Sequence, residues 1–295
     1  MVYYINSYDD NINLSTDNLV IGFFDGLHIG HAKLFKNLKG NTTVLTFNFL
    51  KKNQKPIYSL QERIKEISQT YHPNNVIILD LQKINMNAIT FIENFLKKWN
   101  FNQIIVGDDF KFGNDQQDVN FLNQFFNVNI IARNDNVSTT NIKKMIEQDD
   151  IESANQCLLQ PYYYTSTVVE GQMLGRKLGF RTANFIYNTT KITPSDGVYI
   201  TKAELNNINY QAVTFIGVPK TIAGITCKQF ETHLIDYDGP EFYGQELKVI
   251  FCKKIGNVKK YPNLDALVLG IKQQILAAES YFKDNKNNFL SKKSK

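Results

Sequence analysis

"LVIGFFDGLHIGH", residues 19 to 31, is an apolar run that breaks into three glycines and two histidines, and "AKLFKNL" continues it with helical spacing. The apolar part, "LVIGFF" (19–24), reads as a strand that ends at "DGLHIGH". Gly22, Gly26 and Gly30 allow a tight turn and close approach of the backbone to a ligand. The helix that follows offers unpaired N–H groups and its positive end to an anion. Strand, glycine turn and helix make one unit of a parallel sheet, where ligands bind beyond the carboxyl ends of the strands. A single histidine near a strand end is ordinarily structural. His28 and His31 are spaced to face one point, and on such a turn they point to phosphate chemistry.

The rest of the first half repeats the unit. "TTVLTF" (42–47), "VIIL" (76–79), "IIVG" (104–107) and "VNIIA" (128–132) alternate with helical patterns at 59–71 and 87–99. In the second pattern Ile89, Ile92, Phe95, Leu96 and Trp99 form one apolar face, expected to be buried. Strands apolar enough to be covered on both faces predict a parallel α/β sheet. Helical spacing persists through 139–158 until "LLQPYYY" interrupts it. Short strands are then predicted near 163–170, 197–205, 208–216, 229–236 and 245–252, which argues for an antiparallel sandwich or barrel. A last helix, 263–282, is expected to bury Leu264, Leu267, Ile271, Ile275 and Leu276. The expected division is 1–159, 160–285 and a basic tail at 286–295.

Composition removes several classes. The chain has 295 residues, 43% hydrophobic and 21% charged, as two globular domains would. No apolar run approaches the roughly 20 residues of a membrane span, and the opening "MVYYINSYDDNINLS" reads as no signal peptide. Three scattered cysteines, Cys157, Cys227 and Cys252, suggest reduced thiols in a cytoplasm. The net charge of +5 is spread along the chain, without a nucleic-acid module, so no nucleic-acid partner is expected. A diffuse positive balance also suits an enzyme that handles phosphates.

Further motifs narrow the reading. "VSTTNIKKM" (137–145) places Ser138 and Thr139 at a helix start, where a hydroxyl is an ordinary cap. HxGH followed far downstream by such a start and a basic residue resembles the HxGH nucleotidyltransferase superfamily, with a Rossmann-like domain. Together with "VGDDFKFG" (106–113) it is similar to the FMN adenylyltransferase module of bacterial FAD synthetases. The resemblance implies His28 and His31 as catalytic residues, with Gly22, Phe24, Gly30, Ser138, Thr139 and Lys143 at ATP. It implies Asp109, Phe110 and Phe112 at the flavin. AMP would pass from ATP to the phosphate of FMN, giving FAD and pyrophosphate, with no protein nucleophile.

"GQMLGRKLGFRTANF" (171–185) resembles the riboflavin kinase motif GRxLGxPTAN. "GVY" at 197–199 and "ETHLIDYDGPEFYGQ" at 231–245 match the same family in order. The resemblance implies Gly171, Gly175, Arg176 and Lys177 at ATP, and Thr182 and Asn184 at Mg2+ or another divalent cation. Glu231 would take the proton of the riboflavin 5′-hydroxyl. The expected architecture is therefore a nucleotidyltransferase domain followed by a small antiparallel β-barrel with a C-terminal helix. Its substrates and products would be riboflavin, FMN, FAD and ATP, with self-association left open.

Several positions depart from the family. "TFNFLKK" (46–52) stands for TF(D/E)PHP, Lys143 for an arginine and Arg181 for the proline of PTAN. Lys220 precedes Thr221, and the arginine expected shortly before "KYPNL" is not cleanly present. Two alternatives follow: a protein with only one active module, most readily the kinase, and a flavin or nucleotide sensor without catalysis.

Overall fold

A computed structural model describes residues 1–10, 12–48, 55–132, 137–171, 178–185, 190–221 and 227–285. The chain divides into two compact units. One comprises Met1–Ile142 with Cys157–Leu159; the other comprises Lys143–Gln156 with the chain from Gln160 onward.

The first unit is a six-stranded parallel sheet. Its strands are β1 (Val2–Ile5), β2 (Ser15–Ile21), β3 (Thr42–Asn48), β4 (Asn75–Asp80), β5 (Asn100–Gly107) and β6 (Val128–Ile131), in the order β1-β4-β3-β2-β5-β6. The continuous apolar runs are explained by two cores, one on each face. Leu19, Ile21, Leu45, Ile77, Leu79, Ile104 and Val106 enter one core, and the alternate residues Val20, Val44, Val76, Ile78 and Ile105 enter the other. Helix α3 (Ala88–Asn94) covers the first face through Phe91 and Ile92. Helices α1 (Ile29–Phe35) and α2 (Leu60–Tyr71) cover the second through Leu34 and Ile67. Ser59 starts α2 with a reciprocal cap to Glu62.

Three sequence expectations are corrected in this unit. β2 stops at Ile21, because Phe24 turns into the left-handed region (φ 54°). The 87–99 helix breaks at Phe95 into a 3-10 turn, Leu96–Lys98, and Ile89 is exposed on the outer face of α3. β1, at the sheet edge, exposes Val2 and Tyr4 and lacks the apolar run that marks its neighbours.

In chain order α4 (Val119–Leu122) falls between β5 and β6, while α5 (Thr139–Glu147) and α6 (Ile151–Cys157) follow β6 and precede the barrel strands. The second unit is a closed barrel in the order β10-β11-β8-β7-β12-β9. Its strands are β7 (Tyr163–Val169), β8 (Ala183–Phe185), β9 (Gly197–Leu205), β10 (Ile208–Gly217), β11 (Gln229–Leu234) and β12 (Glu246–Gly256). Asn206 and Asn207, both at positive φ, close the β9–β10 hairpin. The three-residue β8 lies beyond sequence detection, yet it closes the barrel between β11 and β7. Helix α7 (Leu264–Asp284) packs on the barrel through Ala278 and Phe282. Leu264 and Leu276, expected in the core, are 52% and 63% exposed. Leu267, Ile271 and Ile275 face a cavity against β9–β11, so the apolar stripe of α7 lines a binding space over much of its length.

Candidate active sites

In the parallel sheet the chain runs from β2 to β3 to β4 on one side, then returns to place β5 on the other side of β2. The loops after β2 and β5 therefore meet at the switch point, where such sheets bind ligands. The cavity there is lined by Gly22, Phe24 and His31 from one loop and Asp109, Phe110 and Phe112 from the other.

The two histidines are held by each other. His28 caps α1 by accepting the His31 N–H on Nδ1 at 3.3 Å, and the His28 N–H donates to Nδ1 of His31 at 3.4 Å. Their rings stack with centroids 3.7 Å apart. A ring that accepts on Nδ1 carries its proton, when neutral, on Nε2. Burial, then the neighbouring His28, pulls the His31 pKa down to about 3, against a backbone hydrogen bond at Gly26. The glycines serve these rings. A Cβ on Gly30 would lie 2.9 Å from the His28 ring, and one on Gly22 would lie 2.7 Å from the Phe24 ring. The space expected for a ligand's approach is occupied by protein side chains at these two positions. Phe24, in the left-handed region and 1% exposed, backs His31 edge-on at 5.3 Å.

Ser138 caps α5, its Oγ accepting from the Asn141 N–H at 3.2 Å. The Thr139 hydroxyl donates to the Asp25 carbonyl at 3.1 Å, which ties the helix start to the histidine loop. Lys143, four residues further along α5, falls in the second compact unit, and the geometry of the first does not place it. Asp109 is exposed, while the rings of Phe110 and Phe112 are parallel with centroids 5.9 Å apart.

Arg63 was not singled out in the sequence, and it holds this site together. Buried on α2, it donates to the carbonyls of Phe23 and Phe47 and to the Thr46 hydroxyl, so it joins the ends of β2 and β3. Burial lowers its pKa to about 10, with Asp25 opposing the shift. The available signal was an arginine in the apolar stripe Leu60, Arg63, Ile67, Tyr71 at helical spacing.

In the barrel unit, Glu231 on β11 pairs in register with Asn184 on β8. Glu231, Thr182 and Asn184 line the cavity beneath α7. A second cavity is lined by Gly171, Arg181, Tyr237 and Phe242, and Thr182 and Asn184 line that one too. The two residues thus stand where the spaces adjoin. A Cβ on Gly171 would lie 2.2 Å from the Asn184 amide nitrogen, so the glycine is what allows Asn184 its place. Burial raises the Glu231 carboxyl above its ordinary range. Arg181 is accommodated in place of proline: its guanidinium donates to the Gly239 carbonyl at 3.2 Å, and its own carbonyl lies 2.8 Å from Nδ1 of His233. Gly175, Arg176, Lys177 and the 286–295 tail lie outside the described residues, as do positions 49–52 of the altered "TFNFLKK" stretch.

Comparison with known proteins gives two family models, one after the other along the chain. A FAD synthetase model matches residues 11–153, and a riboflavin kinase model matches residues 158–282. A bifunctional riboflavin kinase/FMN adenylyltransferase of Mycoplasma pneumoniae is 30% identical over 91% of this chain and 98% of its own length. The chain belongs to that bifunctional family. A counterpart from Bacillus subtilis is 29% identical over 90% of this chain and 92% of its own. A trifunctional protein, RibF/MnmA of Mycoplasmoides gallisepticum, is 38% identical over 92% of this chain, which spans only 41% of that protein's length. The crystal structure of a Streptococcus pneumoniae protein described as macrolide-efflux superposes with a TM-score of 0.82 at 26% identity, covering 94% of this chain and 98% of that one. Among the described residues of the present chain, no helix is long and apolar enough to cross a membrane. The FAD synthetase model thus spans most of the parallel-sheet unit, and the riboflavin kinase model spans the barrel strands and α7.

Proposed function

We propose that the chain makes FAD from riboflavin in two ATP-dependent steps, the first in the barrel unit and the second in the parallel-sheet unit. The observation that supports this reading is that each compact unit has a cavity of its own, one lined by Glu231, Thr182 and Asn184 and the other by His31, Phe110 and Phe112.

In the first step Glu231 accepts the proton of the riboflavin 5′-hydroxyl while that oxygen attacks the γ-phosphorus of ATP, giving FMN and ADP. The flavin occupies the cavity beneath α7, whose walls include Val213, Phe215, Leu267 and Ile271, and the nucleotide occupies the cavity on the Arg181 side. The Thr182 hydroxyl and the Asn184 amide oxygen are hard neutral donors of the kind a magnesium-type ion accepts. Among the described residues no group of three or more His, Cys, Asp or Glu is gathered for a metal, so phosphate and water would complete the shell. When bound, such an ion neutralises charge on the transferring phosphate.

In the second step a phosphate oxygen of FMN attacks the α-phosphorus of ATP and pyrophosphate leaves. Both reactants are anions, so the work of the site is alignment and charge stabilisation. His28 and His31 donate from Nε2, and the neutral state of His31 lets it enter the site without a competing counter-anion. Phe110 and Phe112 flank the flavin. The chemistry belongs to the cytoplasm, where ATP and reduced thiols are maintained. Purified protein given riboflavin and ATP, with products separated by chromatography, should yield FMN and then FAD. FMN alone would mean an inactive adenylyltransferase unit, and neither product would leave a binding protein.

A further inference from the structure

Strand β11 alternates sharply. Phe230, Thr232 and Leu234 are buried, while Gln229, Glu231 and His233 line the cavity beneath α7. Two of these three outward residues have partners or a role: His233 contacts the Arg181 carbonyl, and Glu231 faces Asn184 across the register. The amide oxygen of Gln229 is buried and accepts no hydrogen bond among the described residues. Buried acceptors left this way are uncommon, and each is costly to leave unmade. Opposite Gln229 in the register stands Gly217, which presents no side chain to it.

We propose that Gln229 recognises riboflavin by accepting a hydrogen bond from a secondary hydroxyl of its ribityl chain; this rests on the kinase reading. The position along the strand selects the group. His233 marks the Arg181 side, where the nucleotide binds, and Gln229 lies the other way from Glu231. Two residues of extended strand separate their Cα atoms by about 6.7 Å. That is the scale of the polyol chain leading away from the reacting 5′-hydroxyl, and it falls short of the far edge of the ring system. Gln229 is thus a specificity residue: it favours a hydroxylated chain over an alkyl one, and it takes no part in proton transfer.

The test uses the full chain, Gln229→Leu, and two flavins. One is riboflavin; the other carries a 5-hydroxypentyl chain, which keeps the terminal hydroxyl and lacks the secondary ones. Gln229→Leu should raise KM for riboflavin about three- to tenfold, with kcat and KM for ATP near wild type. On the alkyl flavin the two proteins should be equal, because the interaction is already missing. Without ligand the variant should melt at or above the wild-type temperature, since an unpartnered buried amide oxygen has been removed, and its thermal shift on adding riboflavin should shrink. An unchanged KM for riboflavin, or an equal loss on both flavins, overturns the proposal. So does a variant that fails to fold, because it would reveal a structural partner. Wild-type protein that makes no FMN counts against the kinase reading itself.

Discussion

Burial raises the Glu231 carboxyl, and the direction of that shift couples its chemistry to stability. The folded protein binds this proton more tightly than the unfolded chain does. The resulting stability is therefore greatest in acid and is lost as pH rises through the folded pKa. Glu231→Gln removes the charge and keeps the shape. At neutral pH the variant should melt no lower than wild type, while FMN formation falls by about 10²–10⁴ and conversion of supplied FMN to FAD is unchanged. Product chromatography and thermal melts read the two effects; a wild-type rate of FMN formation would make Glu231 an ordinary strand carboxylate. His31 runs the other way. Its folded pKa of about 3 lies below its unfolded value, so the stability it contributes is complete above pH ~6.5 and is lost as pH falls toward the folded value. His31→Gln should flatten that acid limb and abolish FAD formation while sparing FMN formation. The motif histidines and Glu231 were legible because family spacing names them. Gln229 and Arg63 were not, since whether a polar atom finds a partner is decided by elements distant in sequence.

Elements carry the next layer. Helix α2 was readable from its periodicity and its Ser59–Glu62 cap, but its function lies in the one charge on its apolar face. Arg63 spans the ends of β2 and β3, the first leading into the histidine turn and the second carrying Thr46, Phe47 and Asn48 of the altered stretch. Arg63→Met would leave the Phe23 and Phe47 carbonyls without this donor, and an unsatisfied buried group costs about 1–3 kcal/mol. We expect a lower melting temperature, impaired FAD formation and intact FMN formation. Arg63→Lys should recover only part of this, because an ammonium lacks the planar fork that reaches both carbonyls. Equal loss of both activities in a folded protein would deny the separation of the sites. Helix α7 teaches the converse lesson about reading an element. Its apolar stripe was visible, yet periodicity does not distinguish a stripe that meets a core from one that lines a cavity, and α7 does the second over Leu267, Ile271 and Ile275.

At the scale of the molecule the change from alternating helix and strand to antiparallel strands was plain in the sequence, whereas the ownership of residues 143–156 was not. The sequence places them before the break at "LLQPYYY", and the kinase family model also begins only at residue 158. In the structure they join the barrel unit. Asp149 accepts from Lys254 Nζ at 2.7 Å, from the Ser195 hydroxyl at 2.5 Å and from the Tyr199 hydroxyl at 2.7 Å. Asn155 adds a bond to the Phe251 carbonyl and receives the Tyr162 N–H. Burial alone would raise the Asp149 carboxyl, but hydrogen bonds led by Lys254 outweigh it and the net shift is downward. The contribution is therefore present at neutral pH and is lost only as pH falls through the depressed folded value. A barrel fragment cut at residue 160 lacks Asp149 and Asn155 and leaves Lys254, Ser195 and Tyr199 without Asp149. A fragment spanning 143–285 should accordingly melt cooperatively at a higher temperature than one spanning 160–285, and in the full chain Asp149→Ala should cost about 1–3 kcal/mol with FAD synthesis from supplied FMN unaffected. Melts of the two fragments and of the variant, followed by far-UV circular dichroism, make the comparison. Coincident melts for the two fragments would show that the network adds nothing to the barrel and that the boundary belongs at 160.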